Sequence, residues 1–147
     1  MKRRILLQSI SAAAFVPLGS WAAAGSELKG GKVGDSSVVY ELRVYHAAAG
    51  RLADLLARFR DHTVKLFDRH GMKSVAYWAP MDEPAKGDML IYILQHASRE
   101  AAAANWKAFQ DDPEWKSVKA KSEENGSLVD KVDSTYMVMT DFSPRLQ

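Results

Sequence analysis

Met89-Leu90-Ile91-Tyr92-Ile93-Leu94 is a run of six apolar residues. Side chains of a strand alternate between two faces, so this run predicts a strand that is apolar on both of them. Both faces then need covers, and the segments on either side must supply them. Upstream, Met81 to Asp88 is a charged turn with Pro84 and Gly87, the composition of a hairpin loop. Before it, Met72 to Pro80 predicts a strand in which Val75, Tyr77 and Ala79 alternate with Ser74, Ala76 and Trp78. Pro80 ends that strand.

Downstream, Ser98 is a good helix cap, and Ala101 to Ala104 favour helix strongly. The helix reaches Trp106-Lys107-Ala108-Phe109-Gln110-Asp111-Asp112-Pro113-Glu114-Trp115, a helix end, a turn and a new helix start. Asp112 suits the N-cap, Pro113 the first helical position and Glu114 the positive helix end. Two indoles and a phenyl in ten residues are too much apolar surface for water, so this joint is expected over a sheet. The third helix carries Trp115 and Val118 and ends at Asn125-Gly126. Thr135 to Phe142 predicts the last strand, apolar on both faces through its middle.

The first strand is Val38 to His46. Val38, Tyr40, Leu42 and Val44 form an apolar face, and Glu41, Arg43 and Tyr45 point the other way. Glu41 and Arg43 are expected to pair, as an exposed or interface ion pair or as a polar anchor within a pocket. A helix follows from about Arg51 to His70, with Leu52, Leu56, Phe59, Thr63 and Leu66 on one stripe and Asp54/Arg58 as an outer i,i+4 pair. Gly71 stops it.

Strand, helix, strand, strand, helix pair, strand is the ferredoxin-like split βαβ order. It predicts an α+β fold with helices on one face of a four-stranded antiparallel sheet. Those helices cannot cover the second face. A second copy would, which predicts a homodimer.

Residues 1–24 read as an export signal. Lys2-Arg3-Arg4 is the basic region, Ile5 to Leu18 the short apolar region, and Ala22-Ala23-Ala24 the cleavage site. Arg3-Arg4-Ile5-Leu6-Leu7 resembles the bacterial twin-arginine signal, which favours that route over general secretion. The expected location is periplasmic or secreted, with no stable membrane anchor after cleavage. Residues 25–37 are a Gly/Ser/Lys spacer, and 38–144 the domain. Losing Lys2, Arg3 and Arg4 takes the formal charge from +2 to −1, so nothing points to nucleic acid. With no cysteine, disulfides and thiol nucleophiles are excluded.

Several segments resemble the NIPSNAP-domain family. Tyr40-Glu41-Leu42-Arg43-Val44-Tyr45 resembles its Y-E-L-R-x-Y opening strand. His62 and Leu66-Phe67-Asp68-Arg69-His70-Gly71 resemble its first helix and H-G exit, and Trp78 the tryptophan of its second strand. Trp106-Lys107-Ala108-Phe109 with Asp112-Pro113-Glu114-Trp115 resembles its most recognisable segment. Asp133-Ser134-Thr135 and Phe142-Ser143-Pro144 resemble its close. The resemblance implies a dimeric α+β barrel and little chemistry.

Two functions follow as expectations. The first is a binding protein for a small apolar or aromatic ligand in a sheet–helix cleft, with Tyr40, Trp78, Tyr92, Trp106 and Trp115 as candidate contacts. The second is a cofactor-independent monooxygenase or isomerase, as in other dimeric α+β barrels, with His62 as the acid/base candidate and Glu41 and Arg43 as further catalytic candidates. No cofactor is predicted. Haem is a minor alternative, because some haem-degrading relatives of the fold use His, Asn and Trp, and His62, Asn105 and Trp106 are present here. No metal is expected: the four histidines lack ligand spacing, and His62 and His70, eight apart on one helix, lie about 12 Å apart.

Overall fold

A computed structural model describes residues 38–84 and 86–146. The export signal and the spacer lie outside the described residues. Four strands, β1 (Val39–Ala47), β2 (Lys73–Trp78), β3 (Met89–His96) and β4 (Val129–Met137), form one sheet in the order β2-β3-β1-β4. Every neighbouring pair is antiparallel. Between β1 and β2 the chain runs through α1 (Leu52–Arg58), a π-helical segment (Phe59–Thr63) and α2 (Val64–Arg69); α3 (Arg99–Asp111) and α4 (Pro113–Ser122) precede β4. This is the ferredoxin-like α+β arrangement.

The β3 run behaves as its composition requires. Leu90, Tyr92, Leu94 and His96 are buried towards the helices, while Met89, Ile91, Ile93 and Gln95 alternate to the other side and are half-buried. Register then fixes the faces of β1. Glu41 stands opposite Leu94, Arg43 opposite Tyr92 and Tyr45 opposite Leu90, so these three share the helix side. Tyr40, Leu42 and Val44 take the outer side with Ile93 and Ile91. The expected assignment is therefore reversed, and Glu41 and Arg43 are not an exposed pair. Glu41 is fully buried under the helices. Period-two alternation says which residues share a face; the position of the helices says which face is inside.

Four further expectations change. The expected Arg51–His70 helix widens at Phe59–Thr63, where the Thr63 hydroxyl donates to the Arg58 carbonyl at 3.2 Å. Arg58 is buried rather than paired outward with Asp54, and Asp54 accepts from Arg51 Nε at 2.8 Å instead. In β2, register shifts between Ser74 and Ala76, so Ser74 and Tyr77 end on one side with their hydroxyls 2.7 Å apart. The last strand is Val129–Met137, not 135–142, and its middle is exposed. It is an edge strand, guarded by Asp130, Lys131 and Asp133. Its partner β1 is nine residues long and sets its length by pairing from Ala47–Val129 to Tyr40–Met137.

The joint after α3 forms as its residues predict. Asp112 Oδ1 accepts from the Glu114 amide at 2.7 Å, capping α4, and Ser98 Oγ caps α3 by accepting from the Ala101 amide at 3.1 Å. Asp112 Oδ2 meets His70 Nε2 at 2.7 Å, and Arg69 donates to Glu114 at 2.7 Å. His70 is thus a structural clasp. Gly71, at φ +72°, turns the chain out of α2; a Cβ there would meet the Asn105 amide at 3.1 Å.

Candidate functional site

The helices and the inner sheet face enclose a cavity of about 240 Å³. It lies over the β1–β4 side of the sheet, where the exposed Val132 shows that the helices leave the edge strand open. Five rings wall it. Tyr45 rises from β1, Phe59 from the π segment, Phe67 from α2, Phe109 from α3 and Trp115 from α4. They hold one another at edges: Tyr45–Phe59 at 5.7 Å, Phe59–Phe67 at 6.0 Å, and Phe109 tilted against Trp115 at 4.5 Å. Phe59 and Thr63, four apart in the π segment, both face the cavity.

Polar groups sit at two ends. At one, Arg58, Lys119 and Glu123 line the cavity. Arg58 Nη1 donates to Glu123 Oε1 at 2.9 Å and to Ser122 Oγ at 3.2 Å, and Lys119 pairs with the other Glu123 oxygen. At the other end, behind Tyr45, lies a buried network centred on Glu41. One carboxylate oxygen accepts from Arg43 at 2.6 Å and Ser134 at 2.7 Å, the other from the Trp106 indole at 2.6 Å and His96 Nε2 at 3.0 Å. Burial pushes the Glu41 carboxyl up, but these four hydrogen bonds outweigh it and hold the group at about 2. The carboxylate is therefore charged.

Arg43 is held between the rings of Trp106, 4.3 Å from its guanidinium, and Tyr45, at 5.3 Å. Its Nη2 reaches the Tyr45 hydroxyl at 3.4 Å, and its Nε has no hydrogen-bond partner among the described residues. Burial lowers the Arg43 proton affinity, while the Tyr45, Tyr92 and Glu41 oxygens raise it further, so the cation is firmly fixed. Burial also pushes the Tyr92 phenol up, leaving it neutral.

The structure brings Glu41, Arg43 and Trp106 together and sets Trp115 in the cavity wall. Tyr92 is core, stacked on Tyr77 at 5.4 Å. Tyr40 and Trp78 stand on the opposite face of the sheet, opposite Gln95 and Ile91, and do not share a cleft with the other rings. His62 is exposed on a separate, more open groove of about 460 Å³ between α1, the π segment and α4. It meets neither Glu41 nor Arg43. The His62, Asn105 and Trp106 set does not converge either: Asn105 Nδ2 donates to the Gly71 carbonyl and Trp106 to Glu41. Sequence reasoning missed His96, Arg58 and the Phe59–Thr63 widening. The signal for His96 was its place at the end of the apolar alternation of β3, where an inward polar residue needs a partner.

The geometry has counterparts in known proteins. A NIPSNAP family protein of unknown function from Agrobacterium tumefaciens is 20% identical, with a TM-score of 0.65 over 77% of this chain and 96% of its own. A monooxygenase from Streptomyces coelicolor in complex with nanaomycin D is 16% identical, at 0.50 over 69% of this chain and 86% of its own. The cofactor-independent oxygenase SnoaB from Streptomyces nogalater is 12% identical, at 0.50 over 75% of this chain and all of its own. At these identities the shared property is the fold. No protein with a curated description matches the chain. Residues 40–144 match the NIPSNAP family, which takes in all four strands but the first residue of β1, all the helices and the clasped Asp112–Trp115 joint. The chain belongs to the NIPSNAP family.

Proposed function

We propose that this protein binds a small, flat, apolar ligand in the cleft between helices and sheet. The observation that carries the reading is the 240 Å³ cavity walled by Tyr45, Phe59, Phe67, Phe109 and Trp115. An apolar cavity of about 150 Å³ takes one benzene ring, so this one suits a two-ring molecule. Equilibrium dialysis with 2-naphthol tests it. Binding in the tens of micromolar, about 6 kcal/mol, is expected, with Trp115→Ala weakening it about tenfold. Trp115 is only half-buried, so the fold should survive the change. No binding at about 1 mM would mean that the rings are packing alone.

A cofactor-independent oxygenase or isomerase acting in the same cleft is the second reading. What favours it is a half-buried, fixed cation, Arg43, beside the cavity-lining Tyr45, a pair suited to steadying an enolate or phenolate. His62 serves this reading poorly, since it opens on the other groove.

The reading includes export through residues 1–24 and assembly through the outer sheet face. Support for assembly is the half-buried Leu42, Val44, Ile91 and Ile93 on that face, beside Trp78 at 48% exposure. Contiguous apolar surface of this kind is rare on soluble monomers. Ile93 lies at its centre, between Leu42 and Ala76. Sedimentation should show the mature chain as two copies at micromolar concentration and Ile93→Lys as one. A single-copy wild type would overturn the assembly.

A further inference from the structure

The cavity has a feature that neutral-ligand binding does not need. Arg58 is on a helix, where an arginine with Asp54 four residues earlier would ordinarily turn outward. Instead it is 6% exposed and lies between the cavity and the His62 groove, lining both. Taking a guanidinium out of water costs several kcal/mol unless its donors are met. Here they are met on one side only. Both hydrogen bonds leave from Nη1, to Ser122 and Glu123, and the buried Nε has no partner among the described residues. Nη2 makes neither of these bonds and, with Nε closed off, is the donor left to hold a ligand carboxylate. Charge around the cavity leans the same way, with Arg58, Lys119 and Lys131 against Glu123 and Asp130. Arg58 also packs on Trp115, 5.3 Å from its ring centre, so the cation adjoins the aromatic wall.

Resting on the cleft reading above, we infer that the cleft takes an aromatic carboxylate, its rings among Phe59, Phe109 and Trp115 and its acid on Arg58. Glu123 then has a definite part. It already holds Arg58 and Lys119 with its two oxygens, as an internal carboxylate that competes with that of the ligand. A bound acid would loosen this contact and draw on the same two cations.

Dialysis of the full chain with 2-naphthoate and 2-naphthol, alike in size and differing in charge, tests the inference. Wild type should prefer naphthoate about tenfold. Arg58→Gln should abolish the preference. Glu123→Gln, which removes the internal competitor, should raise the ratio of naphthoate to naphthol affinity several-fold further. Should Arg58→Gln fail to fold, the Glu123→Gln ratio decides. Naphthol bound as well as or better than naphthoate, with Glu123→Gln leaving the ratio unmoved, would overturn the carboxylate inference and leave the cleft reading intact. Binding of neither probe would overturn both.

Discussion

Glu41→Gln is expected to destabilise the domain by about 3 to 5 kcal/mol, the range for breaking a buried ionic contact on one side. The four donors explain why so small a change costs so much. Arg43 and Ser134 converge on one oxygen, Trp106 and His96 on the other. An amide has one oxygen and one NH₂, so whichever way it turns, the NH₂ faces a group that can only donate, Arg43 or Trp106, and leaves it unmet. Arg43 also loses the negative charge beside it. The same contact gives the domain an acid limb. The carboxyl titrates from about 2 in the folded chain against 4.5 in its ordinary state. Its contribution is therefore complete above about pH 5 and is lost as pH falls towards 2, a total of about 3 kcal/mol. Urea midpoints of wild type at pH 7, 4 and 3 should fall steadily. Those of Glu41→Gln should start lower and fall less. A variant as stable as wild type at pH 7 would remove the network from any structural role.

Phe67→Ala should cost a similar amount, about 3 to 5 kcal/mol, and lower the melting temperature by roughly 15 °C or more. Phe67 is 1% exposed and touches four rings: Phe109 at 4.9 Å, Trp106 at 5.4 Å, and Phe59 and Tyr92 at 6.0 Å. Since it also lines the cavity, its loss would enlarge an existing space rather than let neighbours close in, which places the effect high in the range. Phe142→Ala is the contrast. That ring is 82% exposed, and its removal should change stability by no more than about 0.5 kcal/mol. Calorimetry on the two variants compares them directly. Equal effects would mean that the core is not where these residues place it.

Much of this was legible beforehand, for identifiable reasons. The element order, the Asp112-Pro113 cap and the two-faced β3 depend on local chemistry, and local chemistry is what a sequence displays. The inside of β1 was not legible. A strand with one apolar and one charged face ordinarily buries the apolar one. Here the charged face is inside, because Trp106 and His96, sixty-five and fifty-five positions away, both need an acceptor. The position of β4 was hidden for another reason: its charged edge residues mask the alternation, and only pairing with β1 defines it. Rings could be recognised as numerous, but not sorted. Tyr40 and Trp78 fell on one side of the sheet and Trp106 and Trp115 on the other, a division set by register and by the irregularity at Val75.

The segment from Phe59 to Thr63 winds wider than the turns around it, in effect carrying one residue more than a regular coil needs. Winding the same residues as an even coil, with none removed, would swing everything beyond by about 100°. Leu66 and Phe67 would face solvent, and His70 would be carried away from Asp112. The supernumerary residue is therefore a phase correction. Upstream of it the coil is timed to the cavity, and downstream to the fastening of the fourth helix.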